Sequence, residues 1–122
     1  MKIAIPVENK SLDSNICLSF GRAPYFLFYN VETKESNFVV NSAAAVTGGA
    51  GIKAAQTIVD NKANVLLVTQ LGENAASVLK AADIKIYQAK NASVKENLDD
   101  FTDDKLSLLE KIHAGFHGRR NR

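Results

Sequence analysis

The run Val65-Leu-Leu-Val-Thr69 narrows the choice of folds more than any other part of this sequence. A strand that is apolar at successive positions must be covered on both of its faces, which is typical of parallel strands in α/β proteins. Apolar residues with helical spacing lie on either side of this run, from Ile52 to Val59 before it and from Ala75 to Ala82 after it. The middle of the chain therefore predicts a buried strand between two helices.

The first forty residues follow a different pattern, which predicts three strands. Apolar residues alternate in the opening segment up to about Pro6, and residues 25–31 are dense in aromatic and aliphatic side chains. Residues 32–35 form a polar turn into a third strand at 37–40, and residues 41–51 are expected to be a loop. Strands that follow one another through short turns form a meander.

The last third of the chain predicts a short strand and further helix. Residues 84–87 have strand character, and Ser93-Val-Lys-Glu96 has the form of a capping box that begins a helix. Leu106, Leu109 and Ile112 are spaced like the apolar stripe of a last helix. The fold class is thus α/β, with a mixed five-stranded sheet built from a three-strand meander and strand–helix crossovers, and with helices packed on it.

Composition places this fold in a single domain. The chain has 122 residues, of which 46% are hydrophobic, and its net charge of +2 is too small to indicate nucleic-acid binding. One cysteine excludes an internal disulfide and suits a reducing compartment. The sequence shows no signal peptide and no apolar run of about 20 residues, so we expect a cytoplasmic protein without membrane contact. Residues 1–112 are predicted to be the domain, and residues 113–122 a basic tail with little order.

Four loops of this fold should leave the sheet at one edge. If the first and third strands run parallel to the last two, these loops are residues 8–23, 41–51, 70–74 and 88–93. Open α/β sheets bind their ligands at the carboxyl edge of the strands. The loops bring together a cysteine, a cation, glycines and an amide: Cys17, Arg22, Gly48, Gly49, Gly51, Gly72 and Asn74.

Five segments resemble, in order and spacing, the dinitrogenase iron-molybdenum cofactor biosynthesis domain family. They are the opening Met-Lys-Ile-Ala-Ile-Pro, Phe20-Gly-Arg-Ala-Pro-Tyr-Phe26, Gly49-Ala-Gly51, Leu71-Gly-Glu-Asn-Ala75 and Ile84-Lys-Ile-Tyr87. The resemblance covers roughly residues 1–110. It implies a ribonuclease-H-like architecture and non-catalytic binding of an iron/molybdenum–sulfur cluster or a metal oxyanion in the loop-lined cleft. It also implies cofactor-assembly proteins as partners.

The candidate ligand-binding residues come from these loops: Ser19, Phe20, Gly21, Arg22, Gly48, Gly49, Gly51, Gly72 and Asn74. Many cluster-carrying relatives have a His directly before Phe-Gly-Arg, where this chain has Ser19, and a hydroxyl is a poor ligand for iron or molybdenum. A second hypothesis is therefore a small-anion or nucleotide-responsive interaction module that uses the same cleft without metal. Each candidate also has a structural interpretation: Asn74 as a helix cap, the glycines as loop residues, and Arg22 as a tie to backbone carbonyls.

Three residues are candidate metal ligands. Cys17 could bind metal as a thiolate, although Ile16 and Leu18 on either side suit a buried, hydrophobic role. His113 and His117 are four residues apart and could share one helix face, but Gly115 weakens a helix there and two ligands make an incomplete site. A frayed basic tail is the alternative for the two histidines.

No catalytic residue is predicted. A ribonuclease-H-like nuclease holds Mg²⁺ with carboxylates on its first strand and nearby elements, whereas here the strand interior is Ile3-Ala-Ile5 and Glu8 follows its end. The acidic residues between 99 and 104 are expected on a solvated face, and both histidines lie in the tail. We therefore expect a binding protein rather than an enzyme.

Overall fold

A computed structural model describes residues 1–45 and 48–109 of the chain. Its elements follow the order β-β-β-α-β-α-β-α: β1 Lys2–Val7, β2 Tyr25–Asn30, β3 Ser36–Val40, α1 Ala50–Asp60, β4 Val65–Val68, α2 Glu73–Ala81, β5 Lys85–Gln88 and α3 Val94–Thr102. The five strands form one sheet in the order β3-β2-β1-β4-β5. β1, β2 and β3 pair as an antiparallel meander, while β1, β4 and β5 are parallel. The predicted mixed α/β sheet is confirmed.

Alternation along the strands divides the core into two layers. Ile3, Ile5 and Val7 of β1 belong to the layer beneath α3, and Ala4 belongs to the layer beneath α1 and α2. In β4, Val65 and Leu67 share the α3 side, whereas Leu66 and Val68 share the other. This is why β4 is apolar at every position: both of its faces are covered.

The predicted last helix is wrong over its described part. The chain leaves α3 through Asp104 in the left-handed region, with a φ of 61°, and then runs extended beside β5. The backbone N–H of Gln88 donates to the Ser107 carbonyl at 2.7 Å, and that of Leu109 donates to the Ile86 carbonyl at 2.8 Å.

Leu106 and Leu109 are both buried, but they belong to opposite core layers. Residues three apart point to opposite faces in an extended chain, so the three-residue spacing reflects a segment that covers the edge of β5. Ile112 lies outside the described residues.

Residues 41–51 are also more ordered than the predicted loop. Ser42–Ala45 form a short 3₁₀ helix, and α1 begins at Ala50, so that Gly51 belongs to its first turn. The other predicted elements are confirmed, including α3 with Ser93 as its N-cap. The ribonuclease-H-like label stays a prediction.

Candidate functional site

The carboxyl edge of the sheet carries a cleft, at the place where the topology makes the loops converge. β1 and β3 run parallel to β4 and β5, so the connections after all four strands leave at this edge. The cleft has a volume of about 540 Å³ and is formed by three of the four predicted loops. The residues that line it are Ser19, Phe20, Gly21, Gly49, Ala50, Gly51, Ile52, Gln70, Leu71, Gly72, Glu73, Asn74 and Ala75.

Two helices begin at the wall of this cleft. Gly49 is the N-cap of α1 and Gly72 is the N-cap of α2, so the lining residues 49–52 and 72–75 are the N-cap and first turn of each helix. The carbonyls of both glycines accept the first helical hydrogen bonds, from Lys53 and Ala76, each at 3.0 Å. Both N-caps are glycines, and among the described residues no side chain caps either helix. The first-turn N–H groups of α1 and α2 have no acceptor within their own helix, and their residues line one cavity.

Gly21 shows why the first loop contains a glycine. A Cβ placed on Gly21 would lie 3.1 Å from the Gly51 nitrogen and 3.3 Å from the Ala50 carbonyl carbon. The wall formed by residues 19–21 therefore packs directly against the first turn of α1. The neighbouring Phe20 is buried and contacts Phe26, with ring centroids 5.3 Å apart, which anchors this wall in the core.

Two amide side chains hold the same wall, and the sequence analysis identified neither of them. Asn41, only 3% exposed, donates from Nδ2 to the carbonyls of Gly21 at 3.2 Å and Ala23 at 2.8 Å. Gln70 donates from Nε2 to the Leu18 carbonyl at 3.2 Å. An Asn directly after a strand is a local signal for a turn, but nothing in the sequence shows that its amide reaches back to residues 21 and 23.

Arg22 lies outside the residues that line the cleft. Its side chain is exposed, and Nη1 donates to the Ala44 carbonyl at 2.9 Å, which ties the first loop to the 3₁₀ helix. This contact matches the structural interpretation of Arg22, and a direct contact with a ligand stays a prediction. Gly48 is exposed and does not line the cleft either.

The remaining predicted binding residues do line it: Ser19, Phe20, Gly21, Gly49, Gly51, Gly72 and Asn74.

Cys17 is buried behind the cleft wall. Its thiol lies 3.5 Å from the Ser19 carbonyl as a weak donor. Burial raises the pKa of Cys17 and outweighs the lowering by the backbone hydrogen bond with Ser19, and nearby Glu8 adds a lesser raise. A thiol held in its protonated form is a poor metal ligand, because the thiolate is the form that binds metal. His113 and His117 lie outside the described residues.

Among the described residues that line the cleft, Glu73 is the one with an ionisable side chain. It lies in the first turn of α2, whereas the first turn of α1 has no acidic residue. In residues 1–45 and 48–109, no group of three or more His, Cys, Asp or Glu side chains could hold a metal ion. The sequence analysis did not single out Glu73, since an acidic residue in a first helical turn is common for structural reasons.

Away from the cleft, at the end of α3, Asp100 forms an ion pair with Lys90, which raises the pKa of Lys90.

Comparisons with known proteins found a family model and a relative that match most of this chain. The sequence profile described as "Dinitrogenase iron-molybdenum cofactor" matches residues 1–104. An uncharacterised protein of Methanocaldococcus jannaschii is 31% identical over 113 residues, which cover 90% of this chain and 92% of that protein.

Solved structures are similar as well. The apo form of the orange protein from Desulfovibrio gigas has a TM-score of 0.85 and 32% identity, covering 89% of this chain and 92% of that one. A Thermotoga protein of the DUF35 family, solved by NMR, has a TM-score of 0.81 and 32% identity, covering 94% of this chain and 98% of that one. No helix in the described ranges is long and apolar enough to cross a membrane.

Proposed function

This chain belongs to the dinitrogenase iron-molybdenum cofactor family, and we propose that it is a non-enzymatic carrier of an anionic metal–sulfur cluster or metal oxyanion. The cargo occupies the cleft at the carboxyl edge of the sheet. The partners that follow from this role are the proteins that build such a cargo or receive it. The family and the similarity to the orange protein support a carrier role.

One observation carries the proposal: the cleft is lined by the N-cap and first turn of two helices, and both N-caps are glycines, which have no side chain to cap the helix. The free N–H groups at a helix start, together with the helix dipole, attract negative charge. Sulfide and oxo groups of an anionic cargo are acceptors for such donors. Two helix starts in one cavity can contact the cargo from two directions.

The lining suits a cargo whose metal atoms are already bound by the cargo's own sulfur or oxygen atoms. The described lining contains neither cysteine nor histidine, the usual protein ligands of iron and molybdenum in sulfur-rich sites. We infer that the cargo's sulfur or oxygen atoms accept hydrogen bonds from the protein, without bonds from metal to protein nitrogen or sulfur. The volume of about 540 Å³ lies within the range of small-molecule sites.

The lining also favours binding over catalysis. Metal-assisted hydrolysis of a phosphate ester needs carboxylates grouped around a divalent cation. Glu73 is the one carboxylate in the described lining, and no metal-holding group of acidic residues exists in the described ranges. The described lining offers donors for a charged ligand and holds no group of carboxylates that could bind a catalytic divalent cation.

Anaerobic titration with tetrathiomolybdate, molybdate, phosphate and a nucleoside triphosphate tests the proposal. We expect saturable binding of tetrathiomolybdate that is tighter than that of phosphate, together with amide shifts in residues lining the cleft. Binding of phosphate or nucleotide without tetrathiomolybdate would instead establish the metal-free interaction module. No binding of any probe by protein that is shown to be folded would contradict both. Metal and sulfide analysis of protein isolated anaerobically from its own host then identifies the natural cargo.

A further inference from the structure

We propose that Asn41 is the positioning residue of the cleft: its buried amide sets the distance between the 19–21 wall and the start of α1, and thereby the affinity for the cargo. Asn41 does not line the cleft itself. Its effect on affinity rests on the proposed function, whereas its effect on the wall can be measured without any ligand.

Every polar atom of the Asn41 side chain takes part in holding the loops. Nδ2 donates to the Gly21 carbonyl at 3.2 Å and to the Ala23 carbonyl at 2.8 Å, while Oδ1 accepts from the Ala43 N–H at 3.1 Å. One side chain thus joins the loop after β1 to the start of the 3₁₀ helix after β3. The Asn41 backbone N–H also donates to the Pro24 carbonyl at 3.1 Å. The amide is buried, so water cannot replace these bonds when they are lost.

A displacement of Gly21 would be transmitted directly to the start of α1. Gly21 approaches the first turn of α1 so closely that a Cβ would lie 3.1 Å from the Gly51 nitrogen. Close packing transmits displacements, because an interior without voids cannot absorb them. A shift of the wall therefore changes both the width of the cleft and the surroundings of the Gly51 N–H. On the far side, Gln70 holds Leu18, so the wall segment lies between two amide tethers.

Asn97 provides a matched control elsewhere in the molecule. It is fully buried in α3, and its amide makes the same kind of contacts: Nδ2 donates to the carbonyls of Lys90 at 3.1 Å and Ser93 at 2.9 Å, and Oδ1 accepts from the Lys90 N–H at 2.8 Å. None of these partners lines the cleft. A purely structural role for Asn41 predicts that equivalent changes at the two asparagines behave alike once their stabilities are compared.

The experiment compares Asn41→Asp with Asn97→Asp. Each substitution keeps the acceptor oxygen and replaces the donor NH₂ by an oxygen facing two carbonyls. At a temperature where both variants are folded, we expect Asn41→Asp to bind tetrathiomolybdate roughly ten-fold more weakly than the wild type, as for loss of an interaction of about 1.4 kcal/mol. Asn97→Asp should bind like the wild type. Without ligand, the amide resonances of Ala50, Gly51 and Ile52 should move in Asn41→Asp and stay in place in Asn97→Asp.

A second variant reaches the same wall without touching Asn41. Gly21→Ala places a methyl group against the Gly51 nitrogen, so it should displace the wall, move the same amide resonances and weaken tetrathiomolybdate binding. It keeps the proposal testable if Asn41→Asp does not fold.

The outcomes separate the two proposals. Unchanged α1 resonances in a folded Asn41→Asp variant would overturn the role of Asn41, and so would equal losses of affinity in the two Asp variants. If Asn41→Asp does not fold, an unchanged Gly21→Ala variant overturns it. If the wild type binds no probe while the resonances respond as expected, the carrier function fails and the positioning role stands.

Discussion

The three α-helices in the described part of the chain begin in two different ways. α3 begins at Ser93, whose hydroxyl oxygen accepts from the Glu96 N–H at 3.1 Å and lies 3.2 Å from the Glu96 carboxylate. α1 and α2 begin at Gly49 and Gly72, which have no side chain that could act as a cap. The capped helix lies on the opposite side of the sheet from the two uncapped ones.

We infer from this difference that the start of α3 serves stability, whereas the starts of α1 and α2 serve ligand binding. A capped helix start satisfies its own donors and contributes to the free energy of folding. An uncapped start leaves donors for a ligand and gives up that contribution. The account therefore predicts opposite responses: changes at the start of α3 alter stability alone, whereas a cap added to α1 or α2 alters binding.

The largest effect is expected when a negatively charged cap is introduced into α2. Gly72 has an extended backbone, with φ of −76° and ψ of 158°, and a Cβ placed on it would meet no atom within 4 Å, so another residue fits there. Gly72→Asp should weaken tetrathiomolybdate binding about a hundred-fold, because two like charges about 5 Å apart repel strongly at a partly buried site. Thermal unfolding should show a stability equal to or slightly above that of the wild type.

Gly72→Asn is the control for this substitution. It offers a similar cap without charge and should reduce affinity less than Gly72→Asp does. Wild-type affinity in Gly72→Asp would mean that the start of α2 does not contact the ligand.

Removal of the natural cap should have the reverse consequence. Ser93→Ala should lower the free energy of unfolding by about 1 kcal/mol, since the Glu96 N–H loses its acceptor. Chemical denaturation measures this loss, and ligand titration should give the wild-type dissociation constant. Weaker binding in folded Ser93→Ala would show that the two kinds of helix start are coupled.

A smaller effect is expected from the two acidic residues in first helical turns. Glu73→Gln removes a carboxylate from the lining of the cleft and should tighten tetrathiomolybdate binding about three-fold. Glu96→Gln makes the same change in the first turn of α3 and should leave binding unaltered. Isothermal titration calorimetry measures the tetrathiomolybdate affinity of both variants. Equal affinities would show that the Glu73 carboxylate does not affect binding.

The smallest effect concerns Cys17, on the structural side of the cleft wall. Burial raises the pKa of its thiol above the ordinary value of 9.0. The folded state then holds the thiol proton more tightly than the unfolded state does. The contribution of this protonation to the free energy of unfolding is therefore complete below pH 9.0 and is lost as the pH rises through the folded-state pKa. The stability difference between wild type and Cys17→Ala should therefore shrink in alkaline solution. A difference that stays constant as the pH rises above 9.0 would contradict the raised pKa.

Sequence patterns predicted the strands of the sheet, but not in every case how a strand is covered. β4 is apolar throughout, which predicts burial on both faces, whereas the alternation in β1 is typical of a half-buried strand although β1 is buried on both faces as well. The segment at 106–109 was misassigned because Leu106 and Leu109 have a spacing that suits a helix, and only the tertiary structure shows that they enter different core layers.

The place of the candidate site, but not all of its residues, could be predicted from the sequence. Topology brings the loops to one edge, and glycines such as Gly21 and Gly72 mark places where the backbone is closely approached or exposed. The proposed role of Asn41 depends on hydrogen bonds to Gly21 and Ala23, which are far from it in the sequence. That of Glu73 depends on its place in the lining of a cleft that only the folded chain forms. No local sequence pattern predicts either arrangement.

The central claim is that the starts of α1 and α2 hold the cargo, and amide NMR during an anaerobic titration with tetrathiomolybdate tests it most directly. We predict that the N–H resonances of residues 50–52 and 73–75 shift together with a single dissociation constant, while those of residues 94–96 at the start of α3 stay in place. Shifts confined to other parts of the molecule, with both uncapped helix starts unaffected at saturation, would contradict the account.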